Sequence, residues 1–288
     1  MSVAYVSVGD FEIFGLSDGS FYLDGGAMFG VVPKVLWEKK CPADKKNRIK
    51  LGLNCFLIKT QRALVLLETG LGPKLTGKFT DIFNVQRKPD LFSSLREAGF
   101  APEDVDFVVN THLHFDHCGG NTRFDEGGET VPTFPRAKYV IQKGEWEAAL
   151  SPEERDKPSY LQENFVPLEK HGVIELIDGD RELVDGVEII VVPGHTARHQ
   201  CLKVRSRGEV LFFPGDLIPM SAHISVPYVM SFDLFPLETM RNKRKYYELS
   251  LRENWLFGLD HDPHHHFGRI KRAGEKYEFE PESGRLSG

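Results

Sequence analysis

The chain has 288 residues, a formal net charge of −6 and 41% apolar residues, which allows one large domain with a sizeable core and argues against a general nucleic-acid-binding role. Four cysteines (Cys41, Cys55, Cys118, Cys201) are widely spaced with no C-x-x-C pair, so no disulfide framework is expected and a reducing, cytoplasmic setting fits. The opening Met1-Ser2-Val3-Ala4-Tyr5 shows no basic leader, and no apolar run is long enough to span a membrane.

Residues 3–23 read as two or three short strands, with Ser17-Asp18-Gly19 as a turn. The stretch Asp24–Pro33 is apolar, glycine-rich and neither helical nor strand-like. It reads as a mobile loop whose Met28 and Phe29 form a pocket wall or a dimer contact, or tuck into the core. Residues 49–59 and 62–68 make a hairpin around Thr60-Gln61, and its second strand ends in Glu68-Thr69-Gly70. The following Gly72-Pro73-Lys74-Leu75-Thr76-Gly77-Lys78-Phe79 nearly spells a P-loop. Phe79, however, stands where a hydroxyl must reach magnesium, and nucleotide binding is rejected on that ground.

Asp90 caps a helix that ends at Gly99, with Leu91, Phe92 and Leu95 on its apolar face. Residues 105–109 and 138–141 read as strands, Lys143–Leu150 as a short helix, and 151–172 as a polar surface excursion. Strands follow at 173–177, 181–184, 187–192, 200–205 and 209–213. Residues 217–236 are irregular, 237–253 helical, and 255–259 a last apolar strand. The basic run Arg241-Asn242-Lys243-Arg244-Lys245 lies on that helix and reads as a solvated face. The pattern supports an α/β or α+β chain forming a single domain over residues 1–288.

The chemistry concentrates in Thr111-His112-Leu113-His114-Phe115-Asp116-His117, with four potential metal donors in six residues. On extended backbone His112 and His114 point the same way, while Asp116 and His117, at the following turn, aim at a neighbouring position. Imidazole and carboxylate donors suit a zinc-like ion, and the spacing suggests two ions side by side. Three further strand ends carry donors: His195 after Val191-Val192-Pro193-Gly194, Asp216 after Leu211–Gly215, and His261 after the 255–259 strand. His264, His265 and His266 compete for the place of His261. No G-x-S-x-G elbow is present, so an acyl-enzyme route has no nucleophile.

The H-x-H-x-D-H stretch, then a G-H-T histidine, a G-D aspartate and a late histidine, resembles the metallo-β-lactamase superfamily. The resemblance implies a four-layer αββα sandwich. It implies one metal on His112, His114 and His195, a second on Asp116, His117 and His261, and Asp216 bridging both. A hydroxide shared by the two metals would attack the substrate, with Asp116 passing a proton to the leaving group. Zinc is the first choice, and manganese, iron and cobalt accept the same ligands.

Two positions depart from the family pattern. Glu68 stands for the usual aspartate of D-T-G, one methylene longer, which would shift the metal loop slightly. Arg198 replaces the second glycine of G-H-T-x-G-H, while His199 keeps its place beside the ligands.

The stretch Asp24–Lys34 with Leu36-Trp37-Glu38-Lys39-Lys40, together with Thr111–His117, Asp216-Leu217-Ile218-Pro219, His223, Val229-Met230 and Asp233, is similar to the YtnP-type quorum-quenching lactonases. That similarity implies opening of N-acyl-homoserine lactones, an apolar wall from Met28, Phe29, Val31, Tyr228, Met230 and Phe232, and a homodimer through residues 24–40. Where some lactonases use a tyrosine, this chain has Pro219, so Tyr228 or His223 would supply that group, or none would. Alternatives are a phosphotriesterase, since Gly9-Asp10-Phe11 and Leu16-Ser17-Asp18-Gly19 also resemble organophosphate hydrolases, or another lactone or thioester hydrolase. A mononuclear iron persulfide dioxygenase has no need of Asp116, His117 and His261. A metal-stabilised binding module is the remaining class.

Overall fold

The computed structural model describes residues 3–286. Its strands are β1 (Ala4–Val8), β2 (Phe11–Asp24), β3 (Arg48–Lys59), β4 (Leu64–Leu67), β5 (Phe107–Val109), β6 (Thr122–Phe124), β7 (Thr130–Pro132), β8 (Lys138–Gln142) and β9 (Ile174–Ile177). They continue with β10 (Arg181–Val184), β11 (Val187–Val191), β12 (Gln200–Ser206), β13 (Glu209–Phe213), β14 (Leu256–Gly258), β15 (Phe267–Ala273), β16 (Lys276–Glu282) and β17 (Arg285–Leu286). One sheet has the order β17-β1-β2-β3-β4-β5-β8-β9, the other β10-β11-β12-β13-β14-β15-β16, and β6-β7 form a small separate ribbon.

The two large sheets face each other because each has one mainly apolar face. Ile13, Phe56, Ile58, Val65, Leu67 and Val109 of the first pack with Ile189, Leu202, Val204, Leu211 and Phe213 of the second. Outside the first sheet, the helices Leu91–Glu97, Lys143–Leu150 and Val166–Lys170 bury Leu91, Leu95, Trp146, Ala149 and Leu168. Outside the second, the helix Pro236–Glu253 lays Tyr246 and Tyr247 on a cluster with Phe212 and Phe257. The result is the expected αββα sandwich.

Strand direction builds the site. β4 and β5 run parallel, as do β13 and β14. Each pair therefore releases its chain at the carboxyl ends of its strands, where open α/β sheets place their ligands. Glu68, the His112–His117 stretch, Asp216 and His261 follow those four ends.

Four expectations are corrected. No turn forms at Ser17-Asp18-Gly19: β2 runs through it, with a register shift between Ser17 and Ser20 that reads as a bulge. Asp18 thereby points inward and accepts hydrogen bonds from Gly72 N at 2.9 Å and Leu91 N at 3.2 Å. Burial pushes its carboxyl up to about 6. Second, Gly25–Phe29 is a short helix with Asp24 accepting from Ala27 N at 2.9 Å, and one turn is too short to show a helical period. Third, residues 151–172, expected as a polar surface excursion, form the short helix Val166–Lys170 and bury Tyr160, Phe165 and Leu168 in the core, and the β15–β16 hairpin has no counterpart in the sequence reading. Its edge is dressed with charges (Arg269 with Glu282, Lys271 with Glu280) that hide the alternation. Fourth, Lys243 is fully buried, and its ammonium donates to the carbonyls of His223, Ser225 and Tyr228.

No helix is expected at the end of the P-loop-like stretch, yet a short one, Lys78–Ile82, follows Gly77; the rejected P-loop has a structural use instead. Lys74 is 7% exposed, and its Nζ donates to Gly119 O at 2.9 Å and Thr122 O at 2.7 Å. It pins the loop that leaves the histidine-rich stretch. Only glycine fits there, since a Cβ on Gly119 would lie 2.2 Å from Leu71 O and one on Gly120 2.3 Å from Thr69 O.

Lys74→Met orphans two buried carbonyls, so we expect about 1–3 kcal/mol of destabilisation at pH 7 in denaturant titrations of metal-free protein. Burial lowers the Lys74 amine to about 8 from 10.5, so folding expels a proton between those values. The stability contributed by this lysine thus rises from about pH 8 to 10.5, and the gap between wild type and Lys74→Met widens across that window.

Candidate metal centre

The loop after β5 is held open by the end of β4. Glu68 adopts φ 63°, a left-handed backbone that is costly for a non-glycine residue and concentrates at functional sites. From there Oε1 accepts from Thr111 N at 3.0 Å and lies 3.2 Å from His117 Nδ1, and Oε2 accepts from Asn110 Nδ2 at 3.3 Å. The longer acid therefore still reaches the loop. His112 and His114 lie beyond the strand rather than on it, in a segment that turns into the short helix Phe115–Cys118.

Seven side chains meet at this rim. His112, His114 and His195 bring ligand atoms within 4.8 Å of one another, as do His112, His117 and Asp216, and Asp116, His117 and His261. His195 Nε2 stands 3.1 Å from His114 Nδ1, and His261 Nε2 stands 3.1 Å from His117 Nε2. Two nitrogens bound to one tetrahedral zinc at about 2.0–2.1 Å are about 3.3 Å apart, so both pairs have the spacing one ion requires. Asp216 lies between the groups: Oδ2 is 3.1 Å from His195 Nε2 and 3.6 Å from His117 Nε2, and Oδ1 is 3.4 Å from His261 Nε2. His112 Nε2 and Asp216 Oδ1 are buried without a hydrogen-bond partner. Buried polar atoms are rarely left so, and both face the cluster. These residues fit two divalent ions, one on each histidine group with Asp216 shared. His264, His265 and His266, the competitors of His261, are not part of the cluster.

The electrostatics follow from burial and from Asp216. Burial and the neighbouring imidazoles hold His112 and His114 well below the usual histidine range, which leaves their lone pairs free. Burial also pushes His117, His195 and His261 down. Glu68 with Asp216 at His117, and Asp216 at His195 and His261, outweigh it and raise all three. Burial penalises the charge of Asp216, yet His195 and His117 hold it well below the carboxylate range.

Most of the ring nitrogens turned away from the cluster have partners that fix their rings, while His114 Nε2 is buried without one. His195 Nδ1 donates to Asp233 Oδ1 at 3.0 Å, His261 Nδ1 donates to Gly52 O at 2.9 Å, and Thr111 Oγ1 lies 3.0 Å from His112 Nδ1. His199 accepts from Asp216 N at 3.2 Å, beside the ligands as expected. Three acids escaped the sequence reading as site residues. Asp233 sits 38 positions from the histidine it orients, and Glu145 falls on a helix with no motif around it. Asp260, next to His261, is buried with both oxygens unpartnered, and burial and Glu68 push it up to about 8.

Beside the cluster opens a cavity of about 190 Å³ lined by His114, Asp116, His195, Asp216 and His261 on one side. Leu23, Met28, Leu51, Phe83, Phe115, Pro158, Ser159, Met230 and Phe232 form the rest. Of the expected substrate residues, Met28 and Phe232 line it, while Phe29, His223 and Tyr228 stand behind. Phe29 is stacked between the His223 and Trp37 rings, at 4.5 and 5.4 Å, and meets Tyr228 edge-on. His223 Nε2 donates to Met28 O at 2.7 Å. Val31 is 90% exposed. Pro219 presents no hydroxyl, and its carbonyl accepts from His261 N at 2.9 Å.

A family model described as the metallo-beta-lactamase superfamily matches residues 49–272. The chain belongs to that superfamily. It is 30% identical over 176 residues to an N-acyl homoserine lactonase of Bacillus thuringiensis, covering 57% of this chain and 63% of that protein. The aligned stretch is thus less than two thirds of that relative's length. A second N-acyl homoserine lactonase, AttM of Rhizobium radiobacter, is 27% identical over 191 residues, 64% of this chain and 67% of that protein. In three dimensions the chain is similar to a probable metal-dependent hydrolase from Staphylococcus aureus, with TM-score 0.88 and 29% identity over 96% of this chain and 99% of that one. It shares its fold with the dizinc quorum-quenching lactonase AidC, with TM-score 0.81, 21% identity and 98% of each chain covered.

Glu68→Ala frees the His117 ring and the Thr111 amide together. We expect metal affinity to fall about 10- to 100-fold in chelator-competition titrations, with the αβ circular dichroism spectrum retained.

Proposed function

We propose that this protein is a dinuclear metal-dependent hydrolase that opens lactone rings, N-acyl-homoserine lactones first among them. The observation that carries the reading is the union, in one cavity, of two histidine–aspartate groups with ion-sized spacing and a wall made of Met28, Phe83, Phe115, Met230 and Phe232. His112, His114 and His195 would hold one ion, Asp116, His117 and His261 the other, and Asp216 both. Ions bound there supply a Lewis acid and lower the pKa of water towards neutrality. Zinc fits the donor set, and manganese, iron and cobalt share those preferences.

The chain's own residues supply binding, orientation and proton movement. The apolar wall takes the acyl chain out of water and leaves the ring ester at the cluster. Asp233, Gly52 and Glu68 fix the ligand rings, so the donors need no rearrangement during turnover. Asp116, whose side chain is 11% exposed beside His261, would pass a proton to the ring oxygen as its bond to the carbonyl carbon breaks. Water adds to that carbon, the hydroxy acid forms, and its carboxyl releases one proton at neutral pH. The relatives named as N-acyl homoserine lactonases support this choice of substrate over a phosphotriester.

Zinc-loaded protein given a long-chain N-acyl-homoserine lactone is expected to release protons steadily in a pH-stat, with kcat/KM above about 10⁴ M⁻¹s⁻¹. Asp116→Asn should lose at least about a hundredfold of that rate. Two bound metals with no proton release from the wild type would overturn the lactone assignment while leaving the ion sites standing.

A further inference from the structure

We propose that Glu145 is a positioning residue that sets the spacing of His112, His114 and His195 from behind. It sits on the helix Lys143–Leu150, is 2% exposed, and turns away from solvent between exposed Lys143 and Glu147. A carboxyl so deep is costly unless donors satisfy it, and the donors it finds all belong to the metal rim or its edge. Oε1 accepts from Leu113 N at 3.1 Å and from Tyr160 OH at 3.0 Å, and Oε2 accepts from Thr196 Oγ1 at 2.7 Å.

Those positions share one property. Leu113 lies between His112 and His114, Thr196 follows His195, and the Tyr160 ring packs 4.8 Å from the His114 ring. The two histidine-bearing loops come from opposite sheets and are 81 residues apart in sequence, yet they must hold His114 Nδ1 and His195 Nε2 at 3.1 Å. One carboxyl with an oxygen on each loop is a rigid spacer for that distance. Without it, the backbone between His112 and His114 loses an acceptor and the His195 loop loses its tether to the helix.

This inference rests on the reading of the three histidines as ligands of one ion, and the test separates the two. Zinc stoichiometry and affinity are measured by chelator competition, beside thermal unfolding of the metal-free protein, for wild type, Glu145→Gln, Glu145→Leu and Thr196→Val. The glutamine can keep the geometry, accepting from Leu113 and Tyr160 through its oxygen and donating to Thr196 Oγ1. It should bind two zinc ions within about threefold of wild-type affinity. Glu145→Leu should keep one tight ion and lose affinity for the other about 10- to 100-fold, the range expected when a partner of a ligand is removed. Thr196→Val, which cuts a single arm, should lose affinity for the same ion about three- to tenfold with its metal-free melting temperature unchanged. Wild-type affinity for both ions in Glu145→Leu, or in Thr196→Val where the leucine variant does not fold, overturns the proposal. So does a fall in metal-free melting temperature with zinc binding untouched, which makes the residue a support of the fold alone. Wild-type protein that binds no zinc overturns the ligand reading itself, and this inference with it.

Discussion

Asp216 is the charge around which the rim is assembled. Its Oδ2 is 3.9, 3.6 and 3.1 Å from the Nε2 atoms of His112, His117 and His195, and its Oδ1 is 3.4 Å from that of His261. Five imidazoles packed this tightly repel one another in any protonated state, and burying one carboxylate without partners would cost several kcal/mol. Together they are compatible: the carboxylate raises His117, His195 and His261, which in turn hold it ionised. The strands decide the rest. Asp216 follows β13 and His261 follows its parallel neighbour β14 in the second sheet, while the histidine-rich stretch follows β5 in the first. The shared apolar core between the sheets is therefore what keeps the donors within reach of Asp216.

A rim made of loops leaves backbone groups buried, and each needs a partner. This chain meets that need with long polar side chains sent inward. Lys74 covers the carbonyls of Gly119 and Thr122, Lys243 those of His223, Ser225 and Tyr228, and Asp18 the amides of Gly72 and Leu91. Gln200 ties the two sheets together at the same level, its N donating to Thr111 O at 2.9 Å and its Nε2 to Asn110 O at 2.8 Å. Irregular segments around the donors are thus nearly as constrained as the strands.

The side chains that meet at the rim were legible in the sequence because each follows a strand end, and strand ends announce themselves through apolar runs broken by glycine or proline. The same rule exposed β13 and most of the strands, whereas the sandwich architecture followed only from the family resemblance. What stayed hidden were residues whose type argues against their position. Lys243 reads as part of a solvated basic run, yet it is buried, because three carbonyls from a segment 15 to 20 residues earlier receive it. Asp18 reads as a turn aspartate, and the partners that draw it inward are 54 and 73 residues away. Asp233 enters only as one residue of the lactonase resemblance, with no role attached, and Glu145 has no local signature at all. Local patterns report what a residue does to its own backbone, and these four act on backbone or rings brought near by the fold.

The cavity wall shows the same division between what touches a ligand and what fixes its shape. Met28 and Met230 face the space, and both are flexible, adaptable side chains. Behind them, Phe29 lies flat between His223 and Trp37, His223 grips the carbonyl of Met28, and Lys243 holds the segment that carries His223. Soft residues on a hard backing make a wall that can adapt its shape while the rim behind it stays fixed. Polar recognition is then left to few groups. Ser159 is the hydroxyl among the cavity's lining residues, Pro219 offers none, and Tyr228 stands outside. A ligand that satisfies such a wall carries its polar atoms at one end, against the histidines and aspartates, and little but hydrocarbon at the other.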